Sequence, residues 1–187
     1  MQSDLFNSLI TLRKGGVILY PTDTIWGIGC DATNSNAIER INIIKKRSKK
    51  KHFIVLIESE KFLKKYVKKI PENVLALLEN YDSSITIIYP GAKNLPASII
   101  APDGSIGIRI IQDPFCASLI KKLGNPIVST SANVSDEPSP VYFSDIKDEI
   151  KSQVDYIVKW RQQDKNMPRP SRIIKVHESG DFTVIRE

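Results

Sequence analysis

Val17-Ile18-Leu19-Tyr20-Pro21-Thr22-Asp23-Thr24-Ile25-Trp26-Gly27-Ile28-Gly29-Cys30-Asp31 begins as an apolar run and turns polar at a proline. The first four residues read as a buried strand, stopped at Pro21 because proline has no N–H for a ladder. Upstream, Asp4 to Lys14 carries Leu5, Leu9, Ile10 and Leu12 at helical spacing and ends at Gly15-Gly16. A helix, a buried strand and a polar segment beyond it form the opening of an α/β chain. Open α/β sheets place ligands beyond their strand ends, and here hydroxyls, a carboxylate, an aromatic and two glycines gather. A β-turn with an Asx-type bond at Asp23, followed by a Gly-rich loop, is the structural alternative. The segment is neither GxGxxG nor GxxxxGKT, so ordinary dinucleotide and P-loop sites are not indicated.

The alternation continues outward. Asn34-Ser35 can cap a helix over about 37–46 with Ile38, Ile41 and Ile44 inward. Phe53 to Ile57 is a strand, and Ser59 to Lys69 and Glu72 to Asn80 are helices. Ile85 to Tyr89 and Ile106 to Ile111 read as strands, Pro114 to Leu123 as a helix, and Ile127-Val128-Ser129 as a strand. Ser144 to Ile150 reads as a short helix, with late strands at Tyr156 to Val158, Arg172 to Val176 and Phe182 to Ile185. Strands and helices in mixed order with short links imply one α/β domain over residues 1–187, built on a mixed sheet, with no linker.

Charge is concentrated. Residues 45–69 hold 11 of the 27 Lys and Arg and only two acids, Glu58 and Glu60, so the basic excess of the chain is local. Lys45-Lys46-Arg47-Ser48-Lys49-Lys50-Lys51 places six cations in seven positions. Cations suit a helix C-terminus, and a solvated helix end is the bland reading; a polyanion, triphosphate or nucleic acid, would relieve their repulsion. Cys30 and Cys116 show no CxxC pattern, and with only His52 and His177 besides, a protein-built transition-metal site is not expected. The start lacks a signal-peptide pattern and no apolar run is long enough for a bilayer. A reduced, cytoplasmic protein without membrane contact is expected.

A third polar cluster, Ser129-Thr130-Ser131-Ala132-Asn133, follows the strand Pro126-Ile127-Val128. Small hydroxyls there can bond phosphate or carboxylate oxygens, or simply end a strand and cap a helix. GxSxG is absent, which disfavours a serine hydrolase.

Taken together, these clusters resemble the YrdC/TsaC family, the threonylcarbamoyl-AMP synthases. Pro21-Thr22-Asp23-Thr24-Ile25-Trp26-Gly27-Ile28-Gly29-Cys30-Asp31-Ala32 resembles its PTDT-aromatic-GLG-C-DA motif. Lys45-Lys46-Arg47 resembles KxR, Gly107-Ile108-Arg109 the GIR strand, and Ser131-Ala132-Asn133 SxN. Pro170-Ser171-Arg172-Ile173-Ile174 and Val184-Ile185-Arg186 resemble its late PS-I/V stretch and terminal LR. The likeness runs in order from about Gly15 to Arg186.

The resemblance implies a twisted mixed sheet with flanking helices around a basic concave site, in the short single-domain form. It implies a reaction joining ATP, L-threonine and bicarbonate into threonylcarbamoyl-AMP and pyrophosphate, with Mg²⁺ held mainly by the phosphates. Partner proteins would then transfer the threonylcarbamoyl group to tRNA, which the basic face, with its capacity for double-stranded RNA, could touch. By position, Lys45 and Arg47 would grip the triphosphate with Ser131 and Asn133 opposite. Ser105, Ser139 and Arg186 would line the nucleotide site, and Thr24, Arg109, Ser129 and Ser171 would take threonine. A strand-borne ion pair is the alternative for Arg109, and loop hydrogen bonds for Ser139 and Ser171. The chain departs from the pattern at Ser48 and His52, where prolines are usual, and at Trp26, where Tyr is commoner. It departs again at Asp136-Glu137, and at Lys159-Trp160-Arg161-Gln162-Gln163, where a DGG-like turn is usual. An RNA-binding module and a paralogue without synthase activity are the other readings. Phe53 and Phe62, the aromatics near the basic run, read as inward, which leaves RNA no stacking platform. Lys49, Lys50 and Lys51 would form a rim of the site.

Overall fold

A computed structural model describes residues 1–47, 53–79, 84–165, 170–177 and 179–187. Among them run α1 (Gln2–Arg13), β1 (Ile18–Tyr20), β2 (Gly27–Asp31), α2 (Ser35–Ile44), β3 (Ile54–Ile57), α3 (Leu63–Tyr66), α4 (Glu72–Glu79), β4 (Ile85–Tyr89) and β5 (Ile106–Ile110). They are followed by α5 (Pro114–Leu123), β6 (Ile127–Ser131), α6 (Asp148–Lys151), β7 (Tyr156–Ile157), β8 (Arg172–Val176) and β9 (Phe182–Arg186). The strands form one mixed sheet in the order β7-β1-β2-β6-β3-β5-β4-β8-β9. Pairs β1–β7, β3–β5 and β4–β8 are parallel and the others antiparallel. The mixed α/β expectation holds.

Side chains alternate across each strand, and the two faces have different fates. On one, Leu19, Ile28, Val55, Ile57 and Val128 are buried beneath α2, α3 and α4 in the larger core. On α2 the inward residues are Ala37, Ile38, Ile41 and Ile44, and Asn34 Oδ1 accepts from Asn36 N and Ala37 N, both at 3.1 Å. Each buried Ile adds roughly 1.5–3 kcal/mol. On the other face, Ile18, Tyr20, Leu56 and Ile127 pack against Leu12 of α1 and Phe115, Leu119 and Ile120 of α5. The covering stops there. Two residues on from Ile127 the same face presents Ser129 and Ser131, and cross-strand from Leu56 it presents Arg109. α1 and α5 thus bury one end of this face and leave the rest open, which is where the site forms.

Several expectations change. Gly27 to Asp31, expected within the polar segment beyond the first strand and a Gly-rich loop in the structural alternative, is the strand β2, inserted between β1 and β6. The strand expected at Ile127 to Ser129 runs on through Thr130 and Ser131 as β6. The glycines of the first cluster and the hydroxyls of the third therefore lie on the sheet itself, because cross-strand pairing overrides the turn tendency of Gly and Ser, while residues 21–26 connect β1 to β2. The helices expected at 59–69 and 144–150 shrink to α3 and α6, each preceded by a 3₁₀ turn. Phe53 is buried as expected, but Phe62 is exposed. Ser48, His52 and the Lys49–Lys51 rim lie outside the described residues, as does the expected helix end at Asn80.

Candidate active site

A cavity of about 250 Å³ opens on the uncovered sheet face. Gly27 of β2, Ile54 of β3, Arg109 of β5 and Ser129 and Ser131 of β6 form its floor; Thr22, Thr24 and Ile25 make one wall. Arg47, Ser139, Ser171 and Arg186 close the rest. The absence of a side chain at Gly27 keeps the floor open, since a Cβ there would lie 3.0 Å from Ser129 Oγ. Buried Tyr20 fixes that hydroxyl by donating to Ser129 Oγ at 2.9 Å.

Three guanidinium groups converge here. Arg109, 5% exposed, donates to Thr24 Oγ1 at 2.9 Å and faces Asp23 Oδ1 at 3.4 Å. Ser84 Oγ donates to the other Asp23 oxygen at 2.6 Å. Thr24 is held in turn, its N–H donating to Thr22 Oγ1 at 3.0 Å, and Thr22 Oγ1 donates to Ile25 O at 2.8 Å. The ion-pair alternative for Arg109 is therefore present, yet its Nε meets no acceptor among the described residues. Arg186 donates through Nε and Nη2 to Ser171 O at 3.1 and 2.7 Å. Burial, and then the nearby charge of Arg109, lowers its pKa.

Arg47 is the least compensated. Its Nη2 donates to Thr130 Oγ1 at 2.9 Å and its guanidinium lies 4.4 Å from the Phe53 ring centroid. Nε and Nη1 are buried without a hydrogen-bond partner among the described residues. Burial pushes its pKa down to about 10, the mark of a cation desolvated without a counter-ion. An anion with several oxygens would satisfy all three arginines, through the fork geometry that guanidinium offers carboxylates and phosphates.

The cavity brings together Thr24, Arg47, Arg109, Ser129, Ser131, Ser139, Ser171 and Arg186 from the sequence expectations. Ser171 Oγ also shares a hydrogen bond with Thr86 Oγ1 at 2.8 Å. Three expected residues are placed elsewhere. Lys45 is 2% exposed, and its Nζ donates to Ser131 O and to Asn133 O, so the ammonium holds the chain that follows β6. Asn133 turns its amide to Val134 O at 2.9 Å and Glu137 O at 2.6 Å. Ser105 donates to Asp103 Oδ1 at 2.6 Å beside a neighbouring cavity of about 390 Å³. That second, more apolar cavity shares Ile54 and Ile173 with the first and has Gly107 in its floor. The basic run thus divides by geometry: Lys45 turns into the fold, Lys46 pairs outward with Glu149 at 2.5 Å, and Arg47 faces the cavity. Sequence reasoning missed Thr22, Thr130 and Ile54; the last two alternate with, or pair across from, residues it did select.

The Sua5/YciO/YrdC family model, described as telomere recombination, matches residues 11–187. The threonylcarbamoyl-AMP synthase of Pseudoalteromonas translucida is 34% identical over 160 residues, 84% of this chain and 86% of that protein. That of Vibrio cholerae is 28% identical over 183 residues, 95% of this chain and 97% of that one. Among solved structures, E. coli YciO superposes with a TM-score of 0.86 at 27% identity, covering 100% of this chain and 90% of its own. P. abyssi Sua5 complexed with L-threonine gives 0.85 at 24% identity, a likeness of fold. The chain spans 53% of that longer protein.

Proposed function

Because the chain belongs to the Sua5/YciO/YrdC family, we propose that its cavity makes threonylcarbamoyl-AMP from ATP, L-threonine and bicarbonate. The observation that carries this is three arginines around one cavity whose described lining residues include no carboxylate. In the reaction the threonine amine adds to the carbon supplied by bicarbonate, giving a carbamate with loss of water. A carbamate oxygen then attacks the α-phosphorus of ATP and pyrophosphate leaves. This is a nucleotidyl transfer, and it needs no protein nucleophile. Positioning and charge neutralisation can supply the catalysis.

In this reading Arg47 and Arg186 hold the phosphates, with Ser131 and Ser139 beside them. Arg109, Thr24, Ser129 and Ser171 take threonine, its carboxylate on Arg109. Lys45 acts through the backbone carbonyls it holds rather than by gripping the triphosphate, and Asn133 braces the same turn. Ser105 serves the adjoining apolar cavity, which suits a nucleoside. Magnesium enters as part of the MgATP substrate. The product would pass in the cytoplasm to proteins that transfer it to tRNA. Relatives named as synthases favour this enzyme over an RNA-binding module.

Purified protein with MgATP, bicarbonate and L-threonine should release pyrophosphate, and omission of threonine should stop the release. Release unchanged without threonine would sink the reading. Arg109→Lys keeps the charge but loses the fork, so the KM for threonine should rise about tenfold, roughly one charge-assisted bond's worth. The KM for ATP should move less than about twofold; equal changes in both would remove Arg109 from the amino-acid subsite.

A further inference from the structure

The wall formed by residues 21–26 is held from behind. Thr22 and Thr24 face the main cavity on one side, and on the other a small one lined also by Arg161 and Asp164. Arg161 Nη1 donates to Thr22 O at 3.0 Å and to Asp113 Oδ2 at 3.1 Å, while its Nε donates to Asp164 Oδ2 at 2.7 Å. Asp113 is buried and already committed, since its other oxygen accepts from Cys116 N at 2.9 Å and caps α5. Cys116 Sγ in turn donates to Pro21 O at 3.2 Å. Two successive carbonyls of the wall are therefore tied to the first turn of α5, one through a thiol and one through a guanidinium.

Arg161 does this from a left-handed backbone, φ 66°, where glycine sits freely and a long side chain does not. The backbone before it is pinned as well. Lys159 N and Trp160 N donate to the Asp4 carboxylate at 3.0 and 3.2 Å, and the Trp160 ring packs on Phe115 at 5.7 Å. Glycine would make this turn with less strain, so what the position uses is the side chain.

We infer that Arg161 is a positioning residue for the amino-acid subsite. It fixes the Thr22 carbonyl, which sets Thr22 Oγ1 to receive Thr24 N and brings Thr24 Oγ1 to Arg109. It touches no substrate. This rests on the assignment of Thr24 and Arg109 to threonine.

The test compares the wild type, Arg161→Gly and Arg161→Lys by hydrogen exchange and by pyrophosphate release. Arg161→Gly should speed amide exchange in the 22–26 segment at least fivefold without substrate. It should raise the KM for threonine about 5–20-fold, with the KM for ATP and kcat within about twofold. Arg161→Lys, which still offers an ammonium to Thr22 O and Asp113, should recover part of both effects. A merely structural role would lower the yield of active enzyme and leave KM unmoved. Unchanged exchange, or a threonine KM within twofold of wild type, overturns the inference. Faster exchange in a protein whose wild type shows no threonine-dependent release leaves the clamp standing and rejects the subsite it was said to serve.

Discussion

Arg47→Met should nearly abolish pyrophosphate release and, at the same time, make the protein melt at a higher temperature. Both outcomes have one cause. Arg47 is a half-buried cation whose one hydrogen bond among the described residues is to a neutral hydroxyl, Thr130 Oγ1, and two of its donors find no partner there. Burial lowers its pKa from the usual guanidinium range to about 10. The unfolded chain therefore holds the proton more tightly than the folded one. The cost of keeping Arg47 charged is fully present below about pH 10 and fades as the pH climbs from there toward the ordinary guanidinium pKa. After allowance for solvent screening, removing that cost at neutral pH is worth about 1 kcal/mol, or roughly 2–4 °C in Tm. Methionine keeps the apolar stem and its packing on Phe53. What it cannot do is donate to phosphate, and loss of such donors at a transition state costs about 10²–10³-fold in kcat/KM. Thermal melts give a second reading: pyrophosphate should raise the Tm of the wild type and leave the variant unmoved. A variant that is less stable and still responds to pyrophosphate would show that Arg47 is structural.

The second large effect is on the fold. Gly29→Ala should lower stability by about 3 kcal/mol, the upper end of overpacking costs, or roughly 6–12 °C in Tm. A Cβ at Gly29 would lie 2.7 Å from Val128 O and 2.8 Å from Tyr20 Cε1. The first is backbone in the neighbouring strand and cannot yield without opening the β2–β6 ladder. The second carries the hydroxyl that orients Ser129. At Gly27 the closest atom is instead the Ser129 hydroxyl at 3.0 Å, a side-chain atom that needs to give by only a few tenths of an ångström and can do so without opening a strand pair. Gly27→Ala should therefore fold nearly as well and lose affinity, because the added methyl enters the cavity. A melt of Gly29→Ala within about 2 °C of wild type would refute the packing account. The two glycines of Gly27-Ile28-Gly29 thus serve different ends, the first the site and the second the sheet.

Much of this was legible in the chain. The periodicity of Ile38, Ile41 and Ile44 and the cap at Asn34 were enough to place α2, because helix signals are local and span only a few residues. The same holds for α5, with Asp113 and Pro114 at its start and Gly124 in the left-handed region at its end. β2 was not legible. Its residues carry turn-like local preferences, and only Tyr20 on one side and Val128 to Ser131 on the other make it a strand. For the site, the ordered motifs identified most of the lining, but neighbours in sequence did not share a fate. Lys45 and Arg47 lie two residues apart, one turned into the fold and one toward the cavity. Nothing local distinguishes them; the carbonyls of Ser131 and Asn133, some 86 and 88 residues away, claim the lysine.

By itself the sequence determined the α/β class, most of the elements in order apart from β2, the family and most of the polar residue types that line the cavity. These follow from local propensity and from motifs read in order. Only the tertiary structure decided which sheet face stays open, since that depends on how far α1 and α5 reach across it. It also decided that Arg47, Arg109 and Arg186 meet in one cavity whose described lining includes no carboxylate, and that Arg161 braces the wall behind them. Burial and desolvation are properties of what surrounds a charge, and those surroundings come from distant parts of the chain.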